Sequence, residues 1–212
     1  GAELIMIPRQ MFSSPPMLLD YLCSKKVTSL TWAVSALTLV SSLKGLDYKA
    51  PKEVRQILFS GEVMPPKQLR AWQKALPDAK FVNLYGPSEI TCNCTWYSVE
   101  KIFQDHEKVP IGKPFPGREI FLLDESGKEI YVPDRAGEIC VGGESLAEGY
   151  YNNPGETRAR FVAGQKGRYY RTGDLGYYGT DGELYFSGRK DFQIKHMGHR
   201  IELEEVEHVL EQ

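Results

Sequence analysis

Apolar residues follow two different periods along this chain. Up to about residue 110, short apolar runs alternate with segments whose apolar residues recur every three or four positions. "LIMIP" at 4–8 predicts a strand. "SPPMLLDYLCSKK" opens on Ser14-Pro15, a helix-start signal, and keeps its apolar residues on one face. "VTSLTWAVSALTLVSSL" predicts a strand running into a helix, and "VRQILFSGE" a strand ending on a small-residue turn. "PPKQLRAWQKAL" predicts a helix opened by proline, and "AKFVNLYG" another strand. Such alternation argues an α/β layer with parallel strands. Beyond about residue 110, "REIFLLDESGKEIYV", "AGEICVGG" and "GELYFSGR" predict short strands parted by Gly, Asp and Pro, with "DESGK" and "TDGE" as hairpin-type turns. Helical periodicity is confined there to "NPGETRARF" and returns only in "RIELEEVEHVLEQ", where Leu203, Val206 and Leu210 share a face. The expected fold class is α/β: a parallel-sheet layer over 1–115, a β-rich, barrel-like subdomain over 116–190, and a hinge with a first helix over 191–212.

Composition narrows this picture. At 212 residues with 42% hydrophobic content, the chain is long enough for a sizeable core. A formal net charge of −2 gives no electrostatic case for nucleic acid or an anionic membrane. The apolar runs are too short to span a bilayer, so no membrane insertion is expected. No targeting pattern opens the chain, and a cytoplasmic location is expected. Cys92 and Cys94 lie one residue apart, not at the spacing of a zinc knuckle or redox pair. With Cys23 and Cys140 they are expected to be free thiols.

Four segments carry candidate chemistry. The first is "NLYGPSE" at Asn83–Glu89, where a strand breaks at Gly86-Pro87 and offers a hydroxyl beside a carboxylate. In an open α/β sheet, ligands bind beyond the carboxyl ends of strands. There Tyr85 offers a flat face for a base, Asn83 an amide for polar edges, Ser88 a hydroxyl for phosphate and Glu89 a hard oxygen for Mg²⁺. The same stretch also fits a plain strand end whose Tyr packs into a loop. The second is "YRTGDLG", in which Asp174 follows Gly173 in a tight turn. Its carboxylate suits the two hydroxyls of a ribose, or equally the backbone of its own turn. The third is "GRKDFQIKHMGHRIELEEVE", where Arg189 could grip phosphate or ribose oxygens, although a solvated charged turn fits as well. The fourth, Ala136–Phe161, is glycine-rich without a phosphate-binding fingerprint and reads as mainly structural.

In this order the segments resemble the adenylate-forming superfamily, most closely the amino-acid adenylation domains of nonribosomal peptide synthetases and the D-alanine–carrier protein ligases. "NLYGPSE", "GEICVGGESLAEGYYNNPGETRARF", "YRTGDLG" and "GRKDFQIKHMGHRIELEEVE" carry the likeness, which spans nearly the whole chain. The resemblance implies part of the large domain of an acyl-adenylate synthetase. It implies an ATP-dependent acid–thiol ligase using Mg²⁺, with an amino acid as substrate and a carrier protein's phosphopantetheine as thiol. It implies Tyr85 stacked on adenine, Asn83 beside its edge, and Gly86 and the Ser60-Gly61-Glu62 turn lining the nucleotide side. Ser88 and Glu89 become the catalytic pair, with Glu89 the metal ligand. Asp174 takes the ribose, Arg189 binds nearby, Lys195 is a further nucleotide contact and Asp191 is the hinge. Leu58, Ser60, Leu84, Cys92 and Asn93, with Trp32 or its neighbours, become the substrate pocket, small to medium and partly polar at Asn93. The D-alanine ligases usually carry Cys where Ser60 stands. The family's phosphate loop and its C-terminal catalytic Lys have no match in these residues, so the chain is expected to belong to something longer, inactive by itself. An acyl- or aryl-CoA ligase on the same scaffold, and a non-catalytic binding fragment, are the alternatives. "DFQIKHMGHRIE" favours amino-acid adenylation over the first.

Overall fold

The computed structural model describes residues 1–164, 167–190, 193–196, 199–201 and 209–210. They fall into two compact units, one of residues 1–82 and 98–109, the other of 83–97 and 110–212.

In the first unit, α1 (Pro15–Ser24) starts on the expected Pro pair and buries Leu18, Leu19 and Leu22. β1 (Ser29–Ala33) runs directly into α2 (Val34–Ser42), and the short α3 (Gly45–Tyr48) follows. β2 (Gln56–Ser60) pairs with β1 in parallel, and α4 (Pro66–Ala75) leads towards β3 (Lys80–Tyr85). The parallel layer is thus present where the alternation placed it. Trp72 on α4 is fully buried and donates its indole N–H to the Leu37 carbonyl on α2 at 3.0 Å, so a large polar-tipped ring is dry yet satisfied. The strand expected at 4–8 is absent: these residues pair with nothing in a sheet, and Leu4 and Met6 are exposed. Apolar character alone does not make a strand without a ladder partner.

In the second unit the end of β3 continues to β4 (Thr95–Ser98) and β5 (Lys113–Pro114), the last two antiparallel. An antiparallel sheet follows, built from β6 (Arg118–Leu123), β7 (Gly137–Gly143), β8 (Phe161–Gly164), β9 (Gly167–Tyr178) and β10 (Leu184–Arg189). Its order is β10-β9-β7-β6, with β8 pairing onto β9. Ile139, Val141, Tyr170, Leu184, Ile90 and Tyr85 belong to its core. Both hairpin turns form: Asp124 Oδ1 accepts from the Ser126 and Lys128 amides, and Gly179 N–H donates to the Glu183 carbonyl. The arm after "DESGK" forms only a single bridge, Leu123 to Glu129, in place of the expected strand. The short helix α5 (Pro154–Arg160) is capped by Asn153, whose Oδ1 accepts from the Glu156 amide at 3.1 Å. A two-stranded antiparallel pair, β11 (Ile194–His196) and β12 (His199–Ile201), follows. Most of the expected terminal helix, from Glu202 to His208, lies outside the described residues, as does Asp191.

Candidate active site

The break after β3 folds tightly back on itself. The Cys94 amide returns to the Tyr85 carbonyl at 2.7 Å, and a Cβ on Gly86 would lie 2.6 Å from the Cys92 carbonyl oxygen. Only glycine fits that approach. Thr91 and Cys92 both take positive φ, 61° and 77°, an uncommon conformation for non-glycine residues. Between these points Ser88–Ile90 makes one 3-10 turn, which leaves Ser88 exposed and Glu89 buried. Leu84 is buried, Asn93 half-buried and Cys92 exposed. Asn83 is buried and donates its amide to the Pro110 carbonyl at 2.8 Å.

Tyr85, expected as an open ring face, is instead only 6% exposed and part of the core. Its hydroxyl donates to Asp174 Oδ2 at 2.6 Å, across 89 residues of sequence. Burial, then the negative charge of Asp174, pushes its pKa well above the ordinary tyrosine value, so the phenol stays protonated as a donor.

Asp174 is 2% exposed. It does not sit in a tight turn, as its neighbour Gly173 suggested, but in a bulge of the twelve-residue β9. From Glu138 to Cys140, β7 advances two residues while β9 advances four, from Leu175 to Arg171. Gly173 takes φ 73° to make the excursion. The bulge is pinned from both sides. Thr172 Oγ1 donates to the Ile139 carbonyl and accepts from the Asp174 amide, and Glu138 Oε1 accepts from the Gly173 amide at 3.3 Å. Arg171 in turn pairs with Glu138 Oε2. Arg189, in register with Asp174 on β10, donates Nη1–H to Asp174 Oδ1 at 2.5 Å. Tyr85, Asp174 and Arg189, three residues singled out in separate motifs, thus form one hydrogen-bonded chain.

Glu89 is held differently. Its Oε1 accepts from the hydroxyls of Tyr150 at 2.7 Å and Tyr170 at 2.8 Å, and the two phenol oxygens lie 3.0 Å apart. Burial, the Tyr150 contact and the Glu89 charge push the Tyr170 phenol strongly upward. The backbone is tied down as well: Ala147 N–H donates to the Glu89 carbonyl at 2.8 Å, and Thr91 Oγ1 donates to the Ser145 carbonyl at 2.9 Å. Arg168 clamps the same loop through the carbonyls of Ala147 and Glu148. The segment Ala136–Phe161, read as mainly structural, therefore supplies a direct partner to Glu89. Tyr150 and Tyr170 stood inside quoted motifs, but nothing in sequence shows that residues 61 and 81 positions from Glu89 meet at one oxygen.

In the first unit, Leu58 and Ser60 point to one face of β2, while Ile57 and Phe59 point to the other, buried face. Gly61 follows with φ 94°. Trp32 is not brought together with Leu58 and Ser60: its register partner is Phe59, and it lies edge-on to Trp72 and Phe12. Of the expected alternatives, it is the neighbours Thr31 and Ala33, not Trp32 itself, that align with Leu58 and Ser60, as the period of a strand requires. Lys195 lies in β11, paired with Arg200. All four cysteines are free, with burial pushing Cys94 and Cys140 up to about 12. No helix among the described residues is long and apolar enough to cross a membrane.

The chain is similar to known proteins in sequence and in fold. The profile of AMP-binding enzymes matches residues 1–151. Surfactin synthase subunit 1 of Bacillus subtilis is 34% identical over the whole chain, which spans 6% of that protein. The D-alanine--D-alanyl carrier protein ligase of Streptococcus equi subsp. equi is 32% identical over the whole chain, which spans 41% of it. Among solved structures, holo-PA1221, a nonribosomal peptide synthetase protein with adenylation and carrier domains bound to a vinylsulfonamide inhibitor, superposes with a TM-score of 0.86 at 35% identity, over 93% of this chain and 35% of that one. The Vibrio cholerae adenylation domain AlmE, solved with glycyl-adenosine-5'-phosphate, gives 0.84 at 28% identity, over 96% of this chain and 38% of that one.

Proposed function

The chain belongs to the AMP-binding enzyme family, and on that premise we propose that it is part of an ATP-dependent acid–thiol ligase that activates an amino acid as its adenylate. The observation that carries this reading is the convergence of Tyr85, Asp174 and Arg189 in one buried chain. Asp174 accepts the ribose hydroxyls: a carboxylate has about four lone-pair sites, and Tyr85 and Arg189 use one on each oxygen. Arg189 holds that carboxylate in place. Tyr85, Asn83 and Gly86 are the proposed adenine-side positions of the second unit, and the Ser60-Gly61-Glu62 turn that of the first. Lys195 adds a contact to the nucleotide. Ser88, exposed at its turn, donates to a phosphate oxygen.

Mg²⁺ is ordinarily held by one or two carboxylates together with substrate phosphates. Glu89 fits that donor type, being a carboxylate with one oxygen anchored by two phenols. Bound there, the ion would neutralise charge developing on the phosphates. The amino acid's carboxylate oxygen attacks the α-phosphorus, and the bond to the leaving pyrophosphate breaks. A phosphopantetheine thiolate on a carrier protein then attacks the acyl carbon and AMP leaves. Both steps depend chiefly on positioning and charge stabilisation. Leu84, Cys92 and Asn93 are the proposed substrate-reading positions of the second unit, and Leu58 and Ser60 those of the first. Asp191 is the proposed hinge. Asp191→Pro fixes φ near −65° and removes a backbone donor, so adenylation and thiol transfer should fall by different factors. Equal loss of both in a folded variant would remove the hinge role.

ATP–pyrophosphate exchange in the complete protein, measured with the twenty common amino acids and D-alanine, tests the function. Exchange driven by at least one of them is expected. Exchange with none, alongside acyl-CoA formation from a simple carboxylic acid, would replace it with the CoA-ligase reading.

A further inference from the structure

We propose that Tyr150 and Tyr170 are positioning residues that set the metal affinity of Glu89 by fixing the rotation of its carboxylate. The proposal rests on Glu89 being the metal ligand. Two phenolic protons cannot serve three contacts. With both directed at Glu89 Oε1, at 2.7 and 2.8 Å, the 3.0 Å approach of the two phenol oxygens carries no proton and is tolerated because the carboxylate draws both. A phenol donor is neutral. It orients the carboxylate without cancelling its charge, unlike the guanidinium on Asp174.

The phenols are themselves built in. Tyr170 lies on β9, fully buried, with its ring against Phe161 at 4.9 Å between centroids. Tyr150 packs edge-on to the same Phe161 at 5.7 Å. Its amide donates to Thr157 Oγ1 at 2.9 Å, which couples it to α5 and the Asn153 cap. The loop before it is fastened to Glu89 and Thr91 by two further bonds. A carboxylate gripped at one oxygen by two rigid rings has lost its rotational freedom before any ion arrives. Hydrogen-bonding partners of metal-ligating carboxylates are typically worth about 10–100-fold in metal affinity.

The test uses Tyr150→Phe, Tyr170→Phe and Glu89→Gln in the complete protein. Mn²⁺ binding is followed by electron paramagnetic resonance in the presence of a non-hydrolysable ATP analogue, with Mg²⁺ half-saturation of pyrophosphate exchange alongside. Each Tyr→Phe variant should weaken Mn²⁺ about tenfold, raise the half-saturating Mg²⁺ in step, and leave the amino-acid KM within about twofold. Where Tyr170→Phe fails to fold, Tyr150→Phe, at a half-buried site, still decides. Unchanged Mn²⁺ affinity in a folded Tyr150→Phe, with Glu89→Gln weakened, overturns the positioning role while Glu89 stays the ligand. Unchanged affinity in Glu89→Gln overturns both.

Discussion

Asp174 and Glu89 are two buried carboxylates of one compact unit, and their partners differ in kind. Asp174 meets a guanidinium and a phenol, one on each oxygen. Glu89 meets two phenols on a single oxygen. A guanidinium compensates charge, so Asp174 is suited to accept hydrogen bonds from neutral hydroxyls. Phenols orient a carboxylate without themselves carrying charge, which is compatible with the cation proposed at Glu89. The residue types around each carboxylate, more than the carboxylate itself, are the basis of the two proposed roles.

The largest effect that would break this contrast is on stability. Arg189 and Asp174 are 12% and 3% exposed as side chains, a buried ion pair. Arg189→Ala strands the carboxylate and should cost about 3–5 kcal/mol in urea unfolding. A loss no greater than that of Tyr150→Phe would mean the two carboxylates are held alike. Next, Tyr85→Phe removes a hydrogen bond to a charged group and should cost about 1.5–3 kcal/mol. That cost should shrink to about 0.5–1.5 kcal/mol in the Asp174→Asn background, where the amide oxygen is a neutral acceptor, as a double-mutant cycle would show.

How dry the Asp174 surroundings are can be read from pH. Cys94 is raised from 9.0 to about 12 by burial, with the Asp174 charge adding, and Cys140 from 9.0 to about 12 by burial and Glu138. The unfolded chain sheds these protons near pH 9 and the folded chain keeps them. The thiols' contribution to stability is therefore level below pH 9 and falls as pH rises towards 12, by up to about 1.4 kcal/mol per pH unit for each thiol. Cys94→Ala should remove one thiol's share between pH 9 and 10; an unchanged slope there would mean water reaches that thiol. The smallest effect is that of Tyr150→Phe, about 1 kcal/mol, because Tyr170 still donates to the same oxygen.

Much of this was legible in the sequence where the signal is local. Pro pairs opened α1 and α4, turn residues made both hairpins, and apolar periods placed β1, β2 and β3. The residues of the Asp174 chain were legible as motif letters. Its geometry was not, because the β9 bulge exists only through its mismatch with β7, a partner about thirty-five residues away. Likewise "LIMIP" has the apolar content of a strand but finds no ladder. Trp32 looked like a pocket residue until the register of β1 on β2 sent its side chain the other way. Tyr150 was the most hidden, since its segment's glycines read as turns and its partner lies 61 residues away.

The division of labour between the two carboxylates is tested most directly by calorimetric titration of the complete protein with AMP alone, and then with a non-hydrolysable ATP analogue plus Mg²⁺. Wild type, Asp174→Asn and Glu89→Gln are compared. Asp174→Asn should weaken AMP about tenfold, the equivalent of about 1.4 kcal/mol for altered ribose bonds. Glu89→Gln should leave AMP within about twofold and lose affinity for the triphosphate analogue only when Mg²⁺ is present. If Glu89→Gln weakens AMP as much as Asp174→Asn does, or Asp174→Asn leaves AMP untouched, the roles assigned to these two carboxylates are contradicted.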